Sequence, residues 1–205
     1  MTSIEFLSQL NKLPTPFIQT KEISSILGIS KHSAGKYLES LRKENFIEKI
    51  ERGKWVVKNS NFDPLQAAEF ITAPKESYIS LQTALFYHGM IDQIPSQIYS
   101  VTTDRARVVH APFASFSFHH CHPNFFSGYK YIKPYLKMAT PEKALVDYYY
   151  FAPTRSRQFT RLPELEISLK FSWKKVFEFC EMITSKRTRS LVMTKMKEIR
   201  DKSVA

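Results

Sequence analysis

The stretch from Thr20 to Val57, TKEISSILGISKHSAGKYLESLRKENFIEKIERGKWVV, decides the fold. It reads as a helix, a tight turn, a second helix and a two-stranded hairpin. Thr20 is placed to cap the first helix, and Glu22 in its first turn suits the positive end of the helix dipole. Ile23, Ile26 and Leu27 fall at helical spacing on one face. Gly28 ends that helix, because glycine takes the left-handed conformation without a steric penalty. Ser30 can cap the next helix, whose apolar stripe is Ala34, Leu38 and Leu41. On or near the opposite face lie His32, Ser33, Lys36, Ser40 and Lys43. Such short polar or cationic side chains suit a helix entering a major groove.

Downstream, Phe46 to Ile50 alternates apolar and charged residues as a half-buried strand does, and Lys54 to Val57 reads as its partner. Arg52-Gly53 sits between them, where glycine permits a tight turn. The ordered set of turn, polar-faced helix and basic hairpin resembles a winged helix-turn-helix, a fold that binds double-stranded DNA. The expected contact set is Lys31, His32, Ser33, Lys36, Tyr37, Ser40 and Lys43 on the helix. Arg52 and Lys54 are expected to reach the phosphate backbone from the hairpin, or wing. A winged helix used for protein contacts is the alternative that the same pattern allows.

Length and composition bound the rest. The chain has 205 residues, enough for two domains, and its 14% aromatic content predicts a packed core. No apolar run approaches the ~20 residues of a membrane span. The opening MTSIEFLSQL lacks the charged start and apolar core of a signal peptide. Cys121 and Cys180 are far apart and belong to no paired motif. A reduced cytoplasmic setting without membrane contact is the expectation.

The net charge of +11 divides unevenly: +4 over residues 1–58, zero over 59–153 and +7 over 154–205. A basic excess attracts polyanions, nucleic acid first among them. The expected division is a winged helix-turn-helix over residues 1–60 and a mixed α/β domain over 61–205, with a basic helical tail over 172–202. The fold class is therefore α+β with a helical C-terminus.

In chain order, Ile4–Leu13 reads as the first helix with Ser3 as cap, and Pro14-Thr15-Pro16 ends it. Phe17-Ile18 reads as a short extended piece beside the wing, and Lys58 to Asp63 as a polar connector. Pro64 to Ile71 is a helix capped by Asp63, and Ser80 caps another from Leu81 to His88. Ile98–Thr103, Phe113–His120, Tyr129–Ile132 and Leu136–Ala139 read as strands. Thr140-Pro141-Glu142 is a strong helix start, and the helix runs from Glu142 to Phe151, ending at Pro153. Two further helices are expected, Trp173–Ile183 capped by Ser172 and Ser185–Lys202. The last carries Leu191, Val192, Met196 and Ile199 as a stripe, with Lys186, Arg187, Arg189 and Lys195 as a possible second basic surface.

Five runs in order, the winged-helix stretch followed by YISLQTALFYHGMI (78–91), IYSVTT (98–103), FFSGY (125–129) and MATPEKALVDYYYF (138–151), resemble the AbiEi-type proteins. These are antitoxins of type IV, abortive-infection toxin–antitoxin systems of phage defence. The resemblance covers roughly residues 5–151, and Ala139-Thr140-Pro141-Glu142-Lys143-Ala144-Leu145 is its most specific piece. It implies an autorepressor that binds inverted repeats in its own promoter. It also implies that the second domain counters a cognate toxin of nucleotidyltransferase type. The basic tail matches only in being basic and helical.

The sequence offers few residues for catalytic or metal chemistry. His119-His120-Cys121-His122 is the obvious candidate metal cluster, but on a strand its members alternate between faces, and no second cluster supplies the remaining ligands. Glu164, Glu166 and Lys170 superficially suggest a nuclease, with an acid-to-lysine spacing too long for one strand. Glu142 and Asp147 are explained by a capped structural helix. His88, before Gly89, favours a helix C-terminus over catalysis. The expectation is a binding protein with no catalytic residue, metal or cofactor. A regulator whose second domain senses a ligand, and a pure interaction protein, are the alternatives.

Overall fold

In the computed structural model, which describes residues 3–10, 12–58, 62–152 and 164–204, the chain is mixed α and β with two sheets. The first part runs α1 (Ser3–Leu10), β1 (Phe17–Gln19), α2 (Thr20–Ile26), α3 (Lys31–Lys43), β2 (Ile47–Glu51) and β3 (Lys54–Val57). Its strands form an antiparallel sheet in the order β1-β3-β2, so the extended piece at Phe17-Ile18 pairs with β3. This order of elements is compatible with the winged helix-turn-helix expected from the sequence.

Several local readings change in detail. Ser3 lies inside α1, which stops at Leu10, and the chain then turns through a bond from Leu13 N to Leu10 O of 3.1 Å. Thr20 is the first residue of α2 and not its cap; its hydroxyl accepts from Trp55 Nε1 at 2.9 Å. Ile26 is exposed, because α2 ends there and only Ile23 on it is buried. Ser30 caps α3 as expected, its Oγ accepting from Ser33 N at 3.1 Å.

A small core joins Phe6, Leu10, Ile18, Ile23, Ala34, Leu38, Leu41, Ile47, Trp55 and Val57. Burying each large member contributes about 1.5–3 kcal/mol. Strand alternation sends Trp55 and Val57 into this core, while Val56 joins Phe17 and Ile50 in a second, larger one. The first sheet is thus covered on both faces, by its own helices and by the following part of the chain. Phe17 stacks on Phe70 (ring centroids 5.3 Å apart) and meets the edge of Phe62 (5.2 Å).

That second part begins with a 3₁₀ turn, Pro64–Gln66, capped by Asp63, and continues into α4 (Ala67–Thr72), so the single helix expected there is split. There follow β4 (Ser77–Ile79), α5 (Leu81–Tyr87), β5 (Ile98–Thr102), β6 (Arg107–Ala111), β7 (Ala114–His120), β8 (Tyr129–Lys133), β9 (Leu136–Ala139) and α6 (Pro141–Phe151). The sheet order is β6-β7-β5-β4-β9-β8, with β5/β7 and β4/β9 parallel and the other pairs antiparallel. β6 has no counterpart in the sequence reading, since only Val109 on it is buried and the alternation signal is weak.

Two helices close the described chain, α7 (Trp173–Glu181) and α8 (Lys186–Val204). Val176 and Cys180 of α7 and Val192 and Met196 of α8 enter the large core, whereas Leu191, expected on the same stripe, is exposed. The expected helix end at Pro153 and residues 59–61 of the connector lie outside the described residues. No helix among the described residues is long and apolar enough to cross a membrane.

Candidate nucleic-acid interface

α3 is held by its apolar stripe, with Ala34, Leu38 and Leu41 fully buried. Helical geometry then turns Lys31, His32, Lys36 and Lys43 outward, and all four are exposed. None of the four side chains forms a hydrogen bond or ion pair among the described residues. Ser33 shares a hydrogen bond with Ser30 across 3.0 Å, and the Ser40 hydroxyl donates to Glu44 Oε1 at 3.1 Å. Tyr37 packs on Phe6 (5.6 Å between ring centroids) at the edge of the small core, which leaves it half-buried on the helix flank.

The hairpin separates its two basic residues. Arg52 stands exposed at the tip beside Gly53, whose φ of +77° makes the turn. Lys54 does not point outward as the sequence reading expected. Its ammonium pairs with Glu51 at 3.0 Å, donates to the Ile71 carbonyl and lies 5.9 Å from the Phe70 ring centroid. Its side chain is only 13% exposed, so it belongs to the joint between the hairpin and α4. The chain reverses direction after Arg52, and two residues later the strand pleat carries Lys54 inward.

Three charged residues missed from sequence complete this surface. Glu39 on α3 accepts from Arg42 Nε at 2.7 Å and from Lys49 Nζ of β2 at 3.3 Å. The Arg42 hydrogen bond foremost holds the Glu39 carboxyl below its ordinary range. Lys49 also lies 5.2 Å from the Trp55 ring centroid. The triad fixes the hairpin against one flank of α3 and leaves a net positive charge there. The i,i+3 spacing of Glu39 and Arg42 is visible in the sequence; the reach of Lys49 is not.

The second basic surface is partly spent. Arg189 donates to the Ile183 carbonyl at 2.8 Å and to Glu181 at 3.2 Å, tying α8 to the end of α7. Lys195 pairs with Glu198 at 2.8 Å. Lys186 and Arg187 are exposed without such partners among the described residues.

Three of the motif runs quoted above, 78–91, 125–129 and 138–151, meet in one buried network. Asp147 accepts from Ser80 Oγ at 2.7 Å, from Tyr78 OH at 3.0 Å and from the Lys143 ammonium. Lys143 sits 3.4 Å from the Phe125 ring centroid, and both members of the ion pair are fully buried. Burial pushes Asp147 up and Lys143 down from their ordinary values, and the pairing opposes both shifts. Ser80 was expected to cap α5, but its hydroxyl is engaged here instead. Gly128, at φ +74°, leaves the space: a Cβ there would stand 2.7 Å from Phe179 and 2.8 Å from Lys143. Sealed under α7, this network can hold β4, α6 and α7 in register.

The histidine run is pulled apart by strand geometry. His119 Nε2 meets Ser117 Oγ at 3.1 Å, His120 Nδ1 meets the Asp104 carbonyl at 2.9 Å, and His122 Nδ1 accepts from Asn124 N at 3.2 Å. Burial lowers His119 to about 4 and raises the Cys121 and Cys180 thiols to about 12 and 11. Such thiols are poor nucleophiles at neutral pH. His88 Nε2 is 2.8 Å from the Ala139 carbonyl and so links the end of α5 to β9. Glu164, Glu166 and Lys170 are all exposed.

No curated protein matches the chain. Residues 2–57, the part that carries α1 to β3, match the family model described as FaeA-like protein.

Proposed function

We propose that this protein is a DNA-binding transcriptional regulator that represses its own operon and serves as the antitoxin of a type IV, abortive-infection toxin–antitoxin pair. The observation that carries the DNA reading is the outer face of α3. Lys31, His32, Lys36 and Lys43 stand exposed and unpaired among the described residues, while the helix behind them is locked by buried Ala34, Leu38 and Leu41. A rigid helix with a cationic outer face beside a basic hairpin tip can enter a major groove and touch backbone on one side. The similarity of residues 2–57 to FaeA-like proteins agrees with a regulator module.

The antitoxin part rests on the resemblance to AbiEi-type proteins. Tyr78, Ser80, Gly128, Lys143 and Asp147 come from three of the matching runs, and their meeting in one network supports this reading of the middle of the chain. In this reading the whole chain comprises a DNA-binding unit and a second unit that counters a nucleotidyltransferase-type toxin. Neither unit performs catalysis.

A second reading is a regulator whose second unit senses a small molecule. It is favoured by an open cleft of about 260 Å³ lined by Thr83, Gln97, Ile98, Phe113 and Ser115. Phe113 touches Phe62 (5.1 Å between centroids), which meets Phe17 of the first sheet, so the cleft is linked by ring contacts to the DNA-binding part.

Fluorescence anisotropy on the duplex upstream of the protein's own reading frame and on a scrambled duplex, across a salt series, tests the regulator. A preference of ~10³ or more for the upstream duplex is expected. Equal, weak and steeply salt-dependent binding to both duplexes would refute it. Co-expression with the product of the adjacent gene tests the antitoxin: rescue of growth is expected, and undiminished toxicity would refute that role.

A further inference from the structure

We infer that Gly35 is a positioning residue for DNA, the point at which the phosphate backbone of the duplex passes closest to α3, between that helix and the β2–β3 hairpin. The inference rests on the DNA-binding reading above and deepens it. Gly35 lies in the interior of α3, where glycine weakens a helix relative to alanine because it loses more conformational freedom on folding. Nothing among the described residues explains its presence. It does not have a positive φ, and a Cβ built on it would meet no atom of the described residues within 4 Å. Gly128 provides the contrast, since Phe179 and Lys143 occupy the space its side chain would need.

The surroundings indicate what uses the gap. On the helix surface Gly35 is flanked by Lys31 and His32 one turn before it, and by Glu39 and Arg42 one and two turns after it. Glu39 is bonded to Lys49 of β2 at 3.3 Å, so this flank of α3 is the one that faces the hairpin. Lys31 and Arg42 thus lie along the helix on either side of a spot with no side chain, and Lys49 joins Arg42 on the Glu39 carboxylate, so this flank carries a net positive charge. A phosphodiester strand suits that combination, because it is anionic and the missing side chain lets it approach the flanking cations closely. An alanine methyl group would hold the strand away from Lys31 and Arg42.

Gly35→Ala and Gly35→Lys, compared with the wild-type full chain, test this by thermal unfolding and by anisotropy on the upstream duplex. Gly35→Ala should raise Tm by about 2–4 °C, as removing a helix-interior glycine does in a chain of this size. It should nevertheless bind the duplex about tenfold more weakly or worse, the scale of an overpacked contact. Gly35→Lys should bind more weakly still, despite its added charge. A Gly35→Ala protein that binds like wild type, or a Gly35→Lys protein that binds more tightly, would overturn the inference and leave the regulator standing. Wild-type protein that does not discriminate the two duplexes would overturn the regulator itself, and this role with it.

Discussion

Arg107 of β6 reaches out of the second sheet to Glu51 at the end of β2, its Nη1 2.8 Å from Oε2, while its Nη2 lies 2.9 Å from the Ile71 carbonyl. Lys54 makes the matching contacts from the other strand of the hairpin, to Glu51 and to the same carbonyl. The base of the wing is therefore clamped by the second part of the chain, and the direction in which Arg52 points depends on it. Arg107→Ala removes a pair that is about a quarter exposed, 25% and 22% for the two side chains. The expected loss of stability is about 1–2 kcal/mol. The same variant should weaken upstream-duplex binding even though Arg107 itself is not on the DNA face. A double-mutant cycle with Glu51→Gln should show coupling in both readouts; additive affinities would mean that the clamp does not set the wing.

The ion pair of Lys143 and Asp147 predicts a different pattern. Lys143→Met leaves a carboxylate buried with only Tyr78 and Ser80 as donors, and is expected to cost about 3–5 kcal/mol, measured by urea unfolding. Adding Asp147→Leu removes the uncompensated charge and should recover part of that loss, because buried pairs give little net stability over apolar replacements. Recovery stays incomplete, since the Tyr78 and Ser80 hydroxyls then lack their acceptor. If the double variant is as unstable as the sum of the two single ones, the pair is not the organising contact.

What was legible in the sequence follows the range of the interactions concerned. Ser30, Asp63, Thr140 and Ser172 act as caps where they were expected, because a cap is decided by residues two or three positions away. Ser80 has the same local pattern and does not cap, since Asp147, distant in sequence, takes its hydroxyl. Thr20 departs for the same reason, its partner being Trp55. The stripe of α3 was readable from helical spacing, whereas β6 was not, because an edge strand with one buried residue carries little pattern. Arg52 and Lys54 look alike in the sequence. Only the packing of α4 and β6 against the hairpin separates them.

His119 predicts sensitivity to acid. Burial lowers its folded value to about 4, below the ordinary 6.5, so the folded state favours the neutral ring. Between those values the unfolded chain binds a proton that the folded chain does not, and stability falls as pH is lowered. The stabilisation is fully present above about pH 6.5 and is lost progressively down to about pH 4, amounting to roughly 3 kcal/mol. Unfolding by urea at pH 7 and pH 4.5 should show His119→Phe losing less stability over that interval than wild type. Equal losses in the two proteins would assign the acid sensitivity to other groups.

Arg52 and Lys54, two residues apart on the same hairpin, should behave as opposites in a salt titration. Arg52 is exposed at the tip, so Arg52→Ala should remove one phosphate contact and lower the slope of log affinity against log salt by about 1. Stability should change little, because Arg52 forms no ion pair among the described residues. Lys54→Ala leaves the count of phosphate contacts alone and should leave the slope unchanged. It strips a nearly buried cation from Glu51 and from the Ile71 carbonyl, which predicts a stability loss of about 1–3 kcal/mol. A lowered slope with Lys54→Ala would mean that the lysine leaves the joint to reach DNA, which requires the clamp of Glu51 and Arg107 to open on binding.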